Sequence, residues 1–329
     1  MPKYAKWLKK ELLLLKQEIL SLEMKSKRKN KVLKRIIKNY ELYIFILPAF
    51  LYFIIFHYAP MYGVQIAFKD YIATKGIIGS PWAGFKHFNY FFKSYYFGVL
   101  MKNTIGISLY SLAVGFPIPI ILALLLNELK YERFKKLVQN VTYAPHFIST
   151  VVMVGMIVSF LSPESGIVNQ VIKAFGGEPI YFMTRSDLFK SIYVWSGIWQ
   201  NAGWSSIIYL AALSSIDMEL HEAAIVDGAT RLQRIRHINI PGIMPTVVVL
   251  LILNSGSIMN VGFEKIFLMQ NSLNLESSDV ISTYVYRRGL LNAQYSFSSA
   301  VGLFNSVINF MLLVIVNKIS KSVNETSLW

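Results

Sequence analysis

Cysteine is absent from this 329-residue chain, and charge is scarce: Asp, Glu, Lys and Arg together make up 16%, where a soluble domain carries about 25%. Without thiols there is no disulfide scaffold, no Cys nucleophile and no Cys-ligated metal. A G-x-x-x-x-G-K-[ST] phosphate loop is also missing, which excludes nucleotide hydrolysis by that route. One stretch, His221-Glu222-Ala223-Ala224-Ile225, begins like a zinc-protease helix but has Ile225 where the second ligand must stand. A single imidazole cannot make a three-ligand zinc site, so no metal is expected. What the chain has in plenty is apolar: 54% hydrophobic residues, gathered in blocks, with mean hydropathy +0.45. The fold class expected is an all-α polytopic membrane protein.

A bilayer core about 30 Å thick calls for about 20 mostly apolar residues at about 1.5 Å each. Six stretches qualify, at about 43–62, 104–126, 138–161, 192–213, 243–269 and 299–316. They define a transmembrane domain over 41–323, between a basic tail at 1–40 and a short tail at 324–329. Pro48, Pro117, Pro119 and Pro145 fall inside spans, which lipid-embedded helices tolerate better than soluble ones.

A formal net charge of +15 suggests nucleic acid at first sight. Its distribution argues otherwise. Lys25, Lys27, Arg28, Lys29, Lys31, Lys34, Arg35 and Lys38 precede the first span. Lys130, Arg133, Lys135 and Lys136 lie between the second and third, Arg231, Arg234 and Arg236 between the fourth and fifth, and Lys318 and Lys321 after the sixth. The positive-inside bias puts these segments and both termini in the cytoplasm of a multi-pass cell-membrane protein, facing anionic lipid rather than nucleic acid. Trp7, Leu8, Leu12, Leu15, Ile19 and Leu22 recur at helical spacing among lysines, predicting a helix lying on the inner leaflet. Inside the spans the ionisable groups are read as Glu264, His57 and His146 and little else. Coupled carriers depend on intramembrane carboxylates, so any transport here draws its energy from another subunit.

The fourth-to-fifth connection predicts a helix–turn–helix outside the bilayer. Asp217 is suited to cap a helix starting at Met218, and Gly228 can take the left-handed conformation that ends it. A second helix from about Ala229 is expected to end at Pro241 before span five. Ala223 and Ala224 give a small-residue face, with Glu222, Asp227 and the arginines around it. The order E-A-A-x-x-D-G-A (Glu222 to Ala229), then Ile238-Asn239-Ile240-Pro241 and Pro245, resembles the EAA loop of permease subunits of binding-protein-dependent ABC importers. Residues 43–63, Phe68-Lys69-Asp70-Tyr71, Ser80-Pro81-Trp82-Ala83-Gly84-Phe85, Gly262-Phe263-Glu264, 279–287 and Ala300-Val301-Gly302-Leu303 resemble the permeases of complex-oligosaccharide importers, a branch that includes alginate permeases.

The resemblance implies a type I importer fold and a non-catalytic subunit. Its partners would be a homologous second permease, two cytoplasmic ATPase subunits and an extracellular solute-binding protein. ATP and Mg would sit on the ATPase, with no cofactor on this chain. Glu222, Ala223, Ala224, Asp227 and Gly228 would form the coupling helix that docks in an ATPase groove, and Pro241 would fix its junction with span five. The cargo would be an oligosaccharide, with uronate-containing fragments inside that class. Two rivals stand beside this: an importer of a non-sugar solute, and a membrane-embedded enzyme.

A path for the cargo is expected along spans four and five. Trp199, Asn201 and Trp204 stand among polar groups spread all round span four. At 100° per residue Asn254, Ser257, Asn260 and Glu264 form one polar stripe on span five. Amides would bond sugar hydroxyls and tryptophan faces would stack on rings; the competing reading is that these amides join helix to helix. Arg287 and Arg288 face the same choice between an acidic sugar, the binding protein and a local ion pair.

Overall fold

The computed structural model describes residues 38–324, so the surface helix expected around Trp7–Leu22 and residues 325–329 lie outside the described residues. The chain divides into two units, residues 1–64 and 65–329. In the first, helix α1 (Tyr40–Phe53) runs through a π-helical turn at Ile54–Tyr58 into Ala59–Met61.

The second unit holds helices α2 (Tyr95–Tyr110) and α3 (Pro117–Asn127), joined by a π turn at Ser111–Gly115. Next come α4 (Glu132–Tyr143), α5 (Thr150–Phe160) and the 29-residue α6 (Ser186–Ser214). Then follow α7 (Met218–Val226), α8 (Arg231–Arg234), a π turn at Ile235–Asn239 and α9 (Ile240–Ser255). Helices α10 (Phe263–Met269), α11 (Ile281–Tyr286) and α12 (Tyr295–Asn324) follow, and shorter helices such as Lys86–Lys93 and Ile167–Ala174 lie between the longer ones.

Three π turns share a cause. Each is followed, two residues beyond its end, by a proline: Pro60, Pro117 and Pro241. Proline has no N–H to give to the carbonyl four residues back, and its ring pushes that carbonyl away. One wide turn absorbs both defects while the helix continues. This corrects the expectation for Pro241. It does not end a helix; the run Arg231–Ser255 passes through it unbroken and is long and apolar enough to cross a membrane.

Two expected spans are broken. The stretch 138–161 bends by 102° between Glu132–Phe147 and Thr150–Phe160, where Pro145 sits in a single 3-10 turn and Ser149 caps α5 by accepting from Val152 N at 3.4 Å. The stretch 243–269 stops being helical at Ser255 and resumes at Phe263. Its irregular backbone is satisfied from neighbours: Met259 N donates to Asn309 Oδ1 at 2.9 Å, and the Ser108 hydroxyl donates to the Ile258 carbonyl. Non-helical backbone at membrane depth persists only where protein or a water-filled cavity surrounds it. Among the described residues four helical runs pass tests of length and apolarity, or five with the bent pair counted as one span. The fourth stretch, 192–213, lies on α6, long enough at about 1.5 Å per residue but diluted by serines, Gln200 and Asn201.

One apolar core joins Ile107, Met153, Phe189, Ile266 and Val280 across four helices and a loop. Another packs Ala123 and Leu124 of α3 against Tyr209 and Leu213 of α6 and Ile243 of α9. The two loop motifs Phe68–Tyr71 and Ser80–Gly84 pair with each other: Asp70 N donates to the Pro81 carbonyl at 2.9 Å and Ala83 N to the Phe68 carbonyl at 2.8 Å.

Candidate coupling hairpin and solute cavity

The hairpin at 217–242 is built by local rules. Asp217 accepts from Glu219 N at 3.0 Å and caps α7. At the other end Gly228 has φ +77°. Ala229 N reaches back to the Ala224 carbonyl at 2.8 Å and Gly228 N to the Ile225 carbonyl at 3.0 Å, the bond pair of a Schellman terminus. Thr230 and Gln233 then exchange bonds in a capping box that starts α8. Glu222, Ala223, Asp227, Gly228 and Pro241 are exposed and Ala224 is half-buried. Val226, at 87% exposed, and Leu232, at 74%, stand out at the tip. The hairpin therefore presents a small-residue, apolar face edged by acids.

Its root is braced. Asn239, fully buried, donates to Glu128 Oε1 at 3.5 Å, and the Arg234 guanidinium lies 3.9 Å from the same carboxylate. Glu128 directly follows α3. Replacing Glu128 with Ala removes an acceptor shared by a charge and an amide, a loss of about 1–2 kcal/mol. The expected outcome is a lower thermal midpoint of the purified protein and faster proteolysis at the 228 turn. An unchanged cleavage rate would show that the brace is not needed.

Two adjoining cavities of about 580 and 380 Å³ lie among α2, α3, α6, α9 and the broken stretch, a size usual for small-ligand sites. Both are bordered by Ser111, Gly115, Pro119, Tyr193, Ser205 and Asn254. Of the residues expected on the path, Trp204, Ser257 and Asn260 line the larger, Asn201 the smaller, and Asn254 both. Trp199 and Glu264 line neither and are exposed. The continuous stripe on span five does not exist: Asn254 is on α9, Ser257 and Asn260 are in the break, and Glu264 is on α10.

Several polar groups also serve helix contacts. Asn305 donates to Asn260 Oδ1 at 2.9 Å. Asn254 donates within its own helix to the Leu250 carbonyl at 2.7 Å. Trp204 stacks on His146 with ring centres 4.6 Å apart and planes 5° from parallel, and His146 Nδ1 is 3.0 Å from Asn201 Oδ1. Arg287 is taken up in an ion pair with the buried Asp279, and Arg288 lies over the Tyr284 ring, 5.4 Å from its centre. In the segment before α2, the Lys86 ammonium 2.9 Å from Asp70 holds that carboxyl below its ordinary pKa.

Lys265 is not among the ionisable groups expected inside the spans, where its neighbour Glu264 is. The lysine lies inside the expected span five and lines the smaller cavity. A lysine within an apolar stretch was the signal available, since such residues are rare and mark function by default.

A model of the family described as "Binding-protein-dependent transport system inner membrane component" matches residues 115–325. The chain belongs to this family. The permease is 44% identical to the polygalacturonan/rhamnogalacturonan transport system permease protein YteP of Bacillus subtilis (strain 168) over 305 residues, 93% of this chain and 95% of that one. It also superposes with TM-score 0.83 and 44% identity on a chain of the crystal structure of a bacterial ABC transporter involved in the import of the acidic polysaccharide alginate, covering 89% of this chain and 99% of that chain. The same score and identity hold for a bacterial alginate ABC transporter in complex with alginate pentasaccharide-bound periplasmic protein, over 90% and 99%. The permease is thus an integral membrane component of an ABC importer that works with a solute-binding protein.

Proposed function

We propose that this permease carries acidic oligosaccharides, such as fragments of pectin-like or alginate-like polymers, from an extracellular binding protein into the cytoplasm. The observation that carries this reading is its 44% identity, over nearly its whole length, to a polygalacturonan/rhamnogalacturonan permease. The cavity supports it: hydroxyls of Ser111, Ser205 and Ser257 and amides of Asn201, Asn254 and Asn260 suit a hydroxyl-rich solute. In this reading α6 also crosses the membrane, as the fourth of six spans, both termini are cytoplasmic, and a homologous second permease closes the cavity. The subunit itself is non-catalytic and binds no cofactor. ATP and Mg act on two partner ATPase subunits, which grip Glu222, Ala223, Ala224, Asp227 and Gly228, with Pro241 at the root.

Because the chain has no cysteine, a single Val226→Cys on the exposed tip is a unique handle. With a bifunctional maleimide it is expected to cross-link to a co-expressed ATPase subunit, and to react with an impermeant maleimide only in inside-out vesicles. Labelling from the outer side of intact cells would overturn the assignment of the hairpin. The cargo is tested by ATP-driven uptake of labelled trigalacturonate into proteoliposomes with the whole complex and its binding protein. No uptake of any acidic oligosaccharide would sink the proposed substrate class.

A further inference from the structure

Lys265 is the cavity group whose presence is hardest to explain by packing. It is nine-tenths buried, 9% exposed, at the start of α10. Its ammonium donates to the Tyr193 carbonyl at 3.0 Å and lies over the Tyr193 ring, 4.9 Å from its centre. Among the described residues no Asp or Glu oxygen comes within the 4.0 Å of an ion pair with it. An ammonium has three N–H groups, and one carbonyl engages only one of them. Burying a charge with neutral partners alone is costly, and a structural role would be met as well by an apolar side chain of the same length.

The space around the ammonium is kept clear. A Cβ at Gly197 would stand 3.3 Å from Nζ, and the glycine leaves that side open to the cavity that Lys265, Asn201, Ser205 and Asn254 line together. One cation, two amides and a hydroxyl are the donor set for a sugar ring bearing a carboxylate.

We propose that the Lys265 ammonium is the anion-recognition point of the cavity, holding a carboxylate of the passing saccharide while Asn201 and Asn254 bond its hydroxyls. This rests on the reading of the chain as an oligosaccharide importer subunit and deepens it: the cavity itself, and not only the binding protein, selects for charge.

The test uses the assembled complex in proteoliposomes, with trigalacturonate and its fully methyl-esterified form as probes of one shape and different charge. Stimulation of ATPase activity by each probe is compared for wild type, Lys265→Gln and Lys265→Arg. Both variants receive sugar from the same binding protein, so its preference cancels. A lost charge-assisted bond predicts that Lys265→Gln lowers the acid-over-ester preference by about tenfold or more, through the half-saturating concentration, while Lys265→Arg keeps it. Comparable yields of assembled complex for the three proteins show that the variants fold. An unchanged preference in Lys265→Gln, or an equal loss for both probes, overturns the role of Lys265 and leaves the importer reading standing. A wild type stimulated by neither probe overturns both.

Discussion

Replacing Gly228 with Val is expected to abolish coupled uptake while the protein still inserts and reaches the membrane. The residue stands at φ +77°, where a Cβ meets nothing within 4 Å, so the cost is wholly backbone. A β-branched residue there costs about 2–3 kcal/mol, enough to unwind the terminus of α7 and swing Glu222 to Asp227 out of place. Uptake per complex should fall by roughly tenfold or more, since about 1.4 kcal/mol is a factor of ten. The series is graded by backbone preference: Asn, which tolerates the left-handed region, should keep most activity, and Ala should lie between. Equal activity for Asn, Ala and Val would separate the hairpin's geometry from transport.

The second large effect is at Gly203. A Cβ built on it stands 2.1 Å from the Thr142 carbonyl oxygen and 2.4 Å from its carbon, so α6 and α4 touch backbone to backbone. Such small-residue contacts are how membrane helices approach closely. Gly203→Val must push the helices apart. Overpacking costs about 1–3 kcal/mol where side chains can yield, and here the obstacle is main chain, so the upper end or beyond is expected. The measurement is the amount of folded protein extracted from membranes and its thermal midpoint. Shaving the neighbour should not help: Gly203→Ala with Thr142→Gly stays destabilised, because the carbonyl remains. Rescue by that pair would show that the side chain, not the backbone, sets the distance.

How much could be read beforehand follows from the range of each rule. The Asp217 cap and the Gly228 turn depend on residues within five positions, and both are found as the sequence implies. The break at 256–262 carries a local sign in Gly256, Ser257, Asn260 and Gly262, but what holds it open is distant: its backbone is satisfied by Ser108 and Asn309, far away in the chain. The stripe drawn through Asn254, Ser257, Asn260 and Glu264 assumed one uninterrupted helix, and the same break removes it. Even so, five of the seven path residues border the cavities, because polar groups in an apolar bundle collect wherever helices part. Trp204 meets its partner His146 at a 3-10 turn just before a 102° bend, which proline counting alone does not foresee.

The wide turn at Ile235–Asn239 sets the compass bearing of everything after it. A π turn holds one residue more than an ordinary turn, and one residue is about 100° of azimuth. Ile243 therefore looks into the apolar core and Asn254 into the cavity because of where Pro241 stands on the helix. A proline thirteen positions upstream of Asn254 is, in this sense, the screw that aims it.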